Sequence, residues 1–444
     1  MQTTAALTFH TILTEEQFSL DELVIELRKT VQEEGMPGLL KLILEMADEM
    51  WAIRSCRQGQ LPGPACCDKA KWEIKDRVNR QLRTSCGVIR FSWRRLFCKA
   101  CRKLVVPMRR WLGLERWQSK THELEQIVVE TVAEQSYRRS TNHLETIGVI
   151  PVPKSTAHRW VAKSTCDQLD WPAGKLASLM VDGTGFKRRP TQENNFSNSG
   201  DLRVAIGLDA AGKAVALGTW SNKHWEEIAA ELESKACGNK VAEQLSCDGE
   251  PGLADRLARV VNSVQRCQWH LVHDLDRQMW VDKAPLNERR QEQKTLAGII
   301  GIELPKGDFE TVKPEDKEEL NQRVTQATSQ LTDLVRALGQ KGYNQAAAYI
   351  AYAKDRLFNY VDFWMKTGVA APRTTSYLER LMREIGRRLK RIAFGWSEGG
   401  AAKMARIIIR RICGQNQWEE YWKAKLGITG KVIVQFRGAK IVTP

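Results

Sequence analysis

Asp182 closes an apolar run, Leu176 to Asp182, and Gly183-Thr184-Gly185 follows at once. The pattern returns 66 positions later in Gln244-Leu-Ser-Cys-Asp248-Gly249. A carboxylate at the end of a buried strand, repeated on a second strand, suits the holding of two divalent cations over a phosphodiester. A third acid would complete the ligand set, and Glu379 can supply it. It stands near the start of an amphipathic stretch, 374–392, whose Leu378, Leu381, Met382, Ile385, Leu389 and Ile392 share one face. Arg383, Arg387 and Lys390 follow Glu379 on the opposite face at i+4, i+8 and i+11, placed to grip phosphates. Two plainer roles stay open for Glu379, a Ser376-x-x-Glu379 capping box and a surface ion pair with Arg383.

Strands and helices must bring these acids together. Runs 176–182, 201–209 and 213–220 read as an antiparallel meander with turns at Asp201 and Asp209-Ala-Ala-Gly212. A helix over 224–236, a strand over 243–248, a helix over 252–262 and a strand over 263–268 follow. Three strands, helix, strand, helix, strand is the order of an RNase H-like domain. Residues 276–370 read as nearly all helix, an insertion ahead of the last catalytic element. The expected fold class is multidomain α+β or α/β, with an RNase H-like mixed sheet, a helical insertion, and helical, zinc-ribbon-like and helix-turn-helix-like segments in front.

Residues 16–53 are helical by periodicity, broken into two helices at Glu34-Gly-Met-Pro-Gly38. Residues 54–118 turn basic and cysteine-containing. The alternation from Arg83 to Arg94 suits a β-hairpin ending at Cys98-Lys-Ala-Cys101, a pair that can form one edge of a tetrahedral Zn²⁺ site. The second edge is open: Cys66 and Cys67 are adjacent, which is awkward for joint ligands, and Cys56 and Cys86 are candidates. Buried or degenerate thiols are the alternative. Residues 121–164 read as three short helices capped by Thr121, Ser136 and Ser155. They have the shape of a helix-turn-helix whose last helix would offer Lys154, His158 and Arg159 to DNA; a plain helical connector is the alternative. Lys187, Arg188 and Arg189, just after the first aspartate strand, suit phosphate contacts or a solvated basic loop. Trp269 could stack on an unpaired base or simply pack along a strand. The tail, Lys431 to Arg437, reads as one strand.

The expected domains are an N-terminal helical segment (1–53), the cysteine-containing region (54–118) and the helix-turn-helix-like domain (119–168). The first part of the catalytic core (172–275), the insertion (276–370), the core's C-terminal helices (371–415) and a tail (416–444) complete the division. Charge separates these regions. The 444 residues carry a formal net charge of +15. Residues 54–117 hold 17 Lys and Arg against 4 Asp and Glu, and residues 373–411 hold 11 against 3. Two basic surfaces point to nucleic acid as partner. No run of about 18 apolar residues spans a bilayer, and the N-terminus lacks a signal-peptide pattern. The expected location is the cytoplasm, nucleoid-associated in a bacterium, with thiols rather than disulfides.

These residues resemble bacterial DDE transposases of the Mutator-like superfamily, insertion-sequence enzymes with an RNase H-like core. The resemblance rests on Leu245-Ser-Cys-Asp248-Gly-Glu-Pro-Gly-Leu253 and Gln265-Arg-Cys267-Gln-Trp-His270. In that family the second aspartate precedes Gly-x-x-Gly-Leu, and a Cys-x-x-His signature follows on the next strand. Asp182 in Val-Asp-Gly-Thr corresponds to the first aspartate, and Glu379 in Tyr-Leu-Glu-Arg-Leu to the final glutamate. Cys98, Cys101, Pro107 and Leu112-Gly-Leu114 match relatives, whereas Cys66-Cys67 departs from their first Cys-x-x-Cys pair. The similarity covers roughly 60–275 and 370–412.

The resemblance implies Asp182, Asp248 and Glu379 as ligands for two Mg²⁺ or Mn²⁺ ions, with Asp182 bridging. It implies hydrolysis at the element's ends, then attack of the freed 3′-OH on target DNA. Partners would be double-stranded DNA, as terminal inverted repeats and as target, and at least a second copy of the chain. Cys267 and His270 could serve as a strut for Asp248, as half of a metal site, or as core residues. A silent DNA-binding derivative and another RNase H-like nuclease are the rival functions.

Overall fold

The computed structural model describes residues 19–189, 199–392 and 395–428. The chain divides into two compact units, Met1–Ser164 with Glu419–Pro444, and Thr165–Trp418. The strand expected at Lys431 to Arg437 and the first residues of the expected N-terminal helix lie outside the described residues.

In the first unit α1 (Leu20–Thr30) passes through a π-helical turn, Val31–Gly35, into α2 (Met36–Gln58). The expected break becomes a bulge. Pro37 follows directly, at the point where the π-helical turn has already shifted the ladder, Met36 N donating to Val31 O. β1 (Trp72–Thr84) and β2 (Gly87–Cys98) pair antiparallel, closed by the two-residue turn Ser85-Cys86, and β3 (Leu104–Val105) pairs on the far end of β2. Leu82, Ile89, Phe91 and Trp93 pack with Leu44 and Ala47 of α2 and with Met108 of α3 (Pro107–Trp111). Buried Asp48 fixes α2 to β2, accepting from Arg94 N at 3.0 Å and Arg94 Nη1 at 2.8 Å. α4 (His122–Glu134), α5 (Tyr137–Thr146) and α6 (Lys154–Lys163) follow. Thr121 and Ser136 cap the first two as expected. Ser155 does not cap the third: Pro153 holds that position, and α6 begins at Lys154.

The second unit is built on a five-stranded mixed sheet of β4 (Leu176–Lys187), β5 (Ser199–Leu208), β6 (Ala214–Ser221), β7 (Ala242–Cys247) and β8 (Val261–Arg266). Its order is β6-β5-β4-β7-β8. The first three strands are antiparallel neighbours, while β4–β7 and β7–β8 are parallel. That is the RNase H-like sheet the element order predicts, in an α+β protein. One face carries Leu179, Val181, Leu245 and Cys247, which pack with Trp225, Ile228 and Leu232 of α7 (Trp225–Lys235) and Leu253 of α8 (Leu253–Leu257). Alternation sends Ser178, Met180, Asp182 and Gln244, Ser246, Asp248 to the other face.

After β8 come α9 (Gln268–Val281), α10 (Leu286–Ile300), α11 (Pro314–Gln340), α12 (Asn344–Ala353) and α13 (Asn359–Thr367). They enclose a core of their own, including Leu271, Leu275, Leu296, Leu331, Leu338, Ile350 and Trp364. Buried Gln265 of β8 anchors it to the sheet, donating from Nε2 to Leu357 O at 2.9 Å, and Gln268 of α9 donates to the same oxygen at 3.0 Å. α14 (Ser376–Gly386), a π-helical turn (Arg387–Arg391), α15 (Glu398–Cys413) and α16 (Gln415–Leu426) end the described chain. Among the described residues no helix is long and apolar enough to cross a membrane.

Candidate active site

Strand register brings the first two acids to the same end of neighbouring strands, close enough for the charge of Asp248 to raise Asp182. β4 and β7 pair in parallel as Ser178 with Gln244 and Met180 with Ser246. Asp182 lies two residues beyond Met180, and Asp248 two beyond Ser246. Both carboxylates therefore leave the same face at the same level of neighbouring strands. Ser178 Oγ lies 3.4 Å from Ser246 Oγ, which shows the shared face directly. Local turns then fix each acid. Asp182 Oδ1 accepts from Gly183 N at 2.7 Å, and Asp248 Oδ1 from Glu250 N at 3.1 Å.

The third acid arrives by a stitched segment. Pro372 O accepts from Ser246 Oγ at 3.1 Å, Arg373 O accepts from Gln268 N at 3.1 Å, and Thr375 N donates to Cys267 Sγ at 3.3 Å. Residues 372–375 are thereby laid across the ends of β7 and β8, and α14 starts where its first turn presents Glu379 to the aspartates. The Thr375 hydroxyl is the hub. It lies 3.1 Å from Glu379 Oε1, 3.3 Å from Cys267 Sγ and 3.3 Å from His270 Nδ1. Its one hydrogen goes to Glu379 or Cys267, while a protonated His270 Nδ1 can donate to its oxygen. Cys267, His270 and Glu379 thus cluster as a hydrogen-bonded set around a hydroxyl.

Electrostatics reflect how close these groups are. Burial pushes the Asp182 carboxyl up to about 6; the charges of Asp248 and Glu379 add to the rise, against the Gly183 N–H and His270. Burial opposes a charged His270, yet Cys267, Glu379 and Asp248 together hold its pKa above the ordinary value. Cys267 is likewise buried, and His270 and Thr375 outweigh that burial and lower its thiol. An aspartate raised by burial and by two neighbouring carboxylates has the electrostatics that a bound cation would relieve. Hard oxygen donors of this kind suit Mg²⁺ or Mn²⁺.

Several expectations change in detail. Cys267 and His270 are not on a strand: β8 ends at Arg266, Cys267 is the N-cap of α9, and Trp269 and His270 lie in its first turn. The period of Leu271, Leu275 and Met279 is the signal for that helix. The capping box does not form: Thr375 rather than Ser376 is the N-cap and makes no side-chain cap hydrogen bond, and its hydroxyl instead turns to Glu379 Oε1. The stripe of Arg383, Arg387 and Lys390 is interrupted by the π-helical turn, and Arg387 pairs with Glu384 at 2.9 Å. At the end of β4, Arg188 pairs with Glu398 while Lys187 and Arg189 are exposed, so the basic residues there are not all freely solvated. Lys154, His158 and Arg159 are exposed on α6, with His158 against Tyr137.

No family model matches the chain, and no curated protein matches it. Among solved structures the chain is similar to the Drosophila P element transposase strand transfer complex, at 10% identity and a TM-score of 0.43, over 68% of this chain and 94% of that one. It is also similar to a simian T-cell lymphotropic virus intasome in complex with PP2A regulatory subunit B56 gamma, at 12% identity and a TM-score of 0.15, over 37% of this chain and 66% of that one. Likenesses this distant leave the function to be argued from the site itself.

Sequence pattern does not reveal the residues that buttress Asp248. Buried Arg266 lies under the Asp248-Gly249 turn and donates from Nη2 to Tyr349 Oη at 2.6 Å. A Cβ on Gly249 would stand 2.4 Å from that same Nη2 and 2.9 Å from Cζ. A side chain at 249 would therefore have to push the buried Arg266 guanidinium off its place against the turn. Gly249→Ala is expected to cost about 1–3 kcal/mol of stability through overpacking and to lower any Asp248-dependent activity at least roughly tenfold by shifting the turn. Thermal melting and turnover of the purified variant check both, and wild-type values in each would refute the close-packing account.

Four thiols form a second cluster, in the first unit. Cys66, Cys67, Cys98 and Cys101 converge, with Sγ atoms 3.1 Å apart for Cys66–Cys101 and 3.8 Å for both Cys67–Cys98 and Cys66–Cys67. A tetrahedral zinc–thiolate site has sulfur–sulfur edges of about 3.8 Å. Adjacent cysteines therefore do converge here, because the loop before β1 wraps both onto the Cys98–Cys101 turn. Cys86 cannot join them: it lies in the hairpin turn, roughly 40 Å along β2 from Cys98. Cys56 is exposed at the end of α2. N–H donation from Cys101 is the main influence pulling the Cys98 thiol down to about 6, helped by Lys71 and Ala100 against burial. Burial pushes Cys66 up. One ready thiolate among four sulfurs fits a zinc site in its donor chemistry.

Proposed function

We propose that this chain is a DDE-type transposase that cleaves DNA strands at the ends of an insertion sequence and joins the 3′-OH to target DNA. The observation that carries the reading is the convergence of Asp182, Asp248 and Glu379 from two adjacent strand ends and a helix stitched over them. Asp182, whose carboxyl feels the charges of both Asp248 and Glu379, would be shared between the ions, with Asp248 and Glu379 as the remaining ligands. Two divalent ions in this ring would supply the Lewis acidity that activates a water or 3′-hydroxyl and steadies the leaving oxygen. The protein's share is positional. Gly183 and Glu250 N–H groups aim the aspartates, and Thr375 and His270 aim Glu379. The basic stretches 54–117 and 373–411 hold duplex DNA, as the resemblance to Mutator-like transposases implies for end and target.

The deciding experiment uses DNA carrying the sequences that bracket the coding frame, incubated with the protein and Mn²⁺. Cleavage at the ends, followed by covalent joining to a target plasmid, is expected from wild type and not from Asp182→Ala. Cutting without joining would indicate a simple nuclease, and no difference between the two proteins a silent DNA-binding derivative.

Thr375 separates positioning from ligation. Thr375→Val keeps the backbone N–H on Cys267 but loses the hydroxyl that touches Glu379 and His270. The expected result is a 10–100-fold rise in the Mn²⁺ concentration needed for half-maximal cleavage, with Thr375→Ser close to wild type. A valine variant with an unchanged metal requirement would remove Thr375 from this role.

A further inference from the structure

One helix face beside the acids is unusual for this protein. α9 buries Leu271, Leu275 and Met279 on one side and exposes Trp269, His273, Arg277 and Trp280 on the other. These four sit at i, i+4, i+8 and i+11, so they fall within about 80° of arc and span about 16 Å along the axis. Trp269 is 46% exposed and Trp280 65%. Leaving two indoles in water on one helix face is costly unless something covers them.

The upper end of this face is built rather than loose. The Trp269 and His273 rings stack with centroids 4.9 Å apart and planes 14° from parallel. His273 Nδ1 is held 2.9 Å from Asp274 Oδ1. Tyr349 donates to Asp274 Oδ2 at 3.4 Å and accepts from Arg266 at 2.6 Å, and Arg266 lies against Gly249 beside Asp248. On its other side Trp269 meets the His270 ring edge-on at 4.9 Å, and His270 Nδ1 is 3.8 Å from Glu379 Oε1. The indole is thereby fixed within two side chains of the acid cluster. The neighbouring carboxylate, Asp276, is taken by Arg289 at 3.0 Å, so it does not repel an anion on this face.

We propose that this face of α9 is a track for unpaired DNA, with Trp269 stacking the first base beyond the cut. The occupant follows from the residue types. Bases stack on aromatic faces without regard to sequence, and an interleaved cation meets the backbone. A duplex cannot offer its bases this way, so the track takes the strand separated when the end is opened. The inference rests on the transposase reading for the source of that strand, but its binding chemistry can be measured apart from cleavage.

The test uses full-length protein without Mg²⁺ or Mn²⁺ and three labelled probes: a thymidine decamer, a duplex of the same length, and a decamer of abasic residues with equal charge. Trp269→Ala is expected to weaken the thymidine decamer roughly tenfold, with Trp269→Phe within about threefold of wild type and Trp280→Ala giving a smaller loss. Duplex and abasic probes should bind all four proteins alike. Thermal melting of each variant checks that it remains folded, since Trp269 also packs on His273 and His270. The proposal fails if wild type does not prefer the thymidine decamer to the abasic one, or if Trp269→Ala weakens all three probes equally. Asp182→Asn assayed alongside keeps the two claims apart. Selective loss in Trp269→Ala without metal-dependent cleavage by wild type would retain the track and reject the transposase; cleavage with unselective binding would do the reverse.

Discussion

Asp182→Asn is expected to abolish metal-dependent strand cleavage and, in magnesium-free buffer at neutral pH, to make the protein more stable. The catalytic loss follows from the ligand's position. Charge stabilisation by a properly held cation is worth several kcal/mol, and about 4 kcal/mol is roughly a thousandfold in rate. The stability gain follows from the same geometry. Burial first, and then the charge of Asp248, raise the Asp182 carboxyl from 3.8 to about 6. A carboxyl raised on folding favours the native state when protonated. That contribution is complete below about pH 4 and disappears as pH rises through about 6, leaving an ionised group crowded by its neighbours. At pH 7.5 the amide should recover on the order of 1–3 kcal/mol, seen as a rise of several degrees in Tm. Mn²⁺ should raise the Tm of wild type in the same pH range, and should do little for the variant. Scanning calorimetry at pH 5 and pH 7.5, with and without Mn²⁺, reads all of this. A variant less stable than wild type at pH 7.5, or still active, would contradict the proposed ring of acids.

Much of this arrangement is legible in the amino-acid sequence. The apolar run Leu176 to Val181 ending in Asp-Gly announces Asp182, whereas the strand before Asp248, Ala-Glu-Gln-Leu-Ser-Cys, is half polar and only its Asp-Gly ending repeats the signal. The order of strands and helices then fixes which strands can neighbour each other, and the sheet follows it. What periodicity does not convey is the junction after β8. Cys267 and His270 look like strand residues until Leu271, Leu275 and Met279 are read as a helix stripe, and only then does Trp269 face outward. Thr375 is hidden for another reason. A run of Thr-Thr-Ser before an amphipathic helix is an ordinary cap signal, and a hydroxyl's contacts across 108 residues to Cys267 leave no trace in local pattern. Arg266 and Gly249 are similar, being a close approach between segments that only the folded chain brings together.

The cysteine cluster yields the second large effect. Purified protein is expected to contain about one zinc per chain, and Cys98→Ala is expected to lose it and unfold the outer end of the hairpin. The packing there explains why. Among the described residues, Trp72, Leu96, Cys98 and Val105 are buried in that cluster, with Leu61, Cys66, Cys67, Ala70 and Cys101 partly so, and one of the four buried groups, Cys98, would itself be a ligand. So few apolar groups cannot order the loop before β1 unaided, whereas structural zinc contributes about 10–16 kcal/mol to such sites at neutral pH. The opposite end of the hairpin rests on Leu44, Ala47 and Met108 and should survive. Hydrogen exchange should therefore show loss of protection over 61–72 and 96–105 in Cys98→Ala, with 82–93 unchanged. Cys86→Ala, placed in the hairpin turn, should keep its zinc. Acidification should release the metal as the Cys98 thiolate, whose pKa is pulled down to about 6 by the Cys101 N–H, takes up its proton. A zinc-free protein with both hairpin ends protected would show that the thiols hold this region by packing alone.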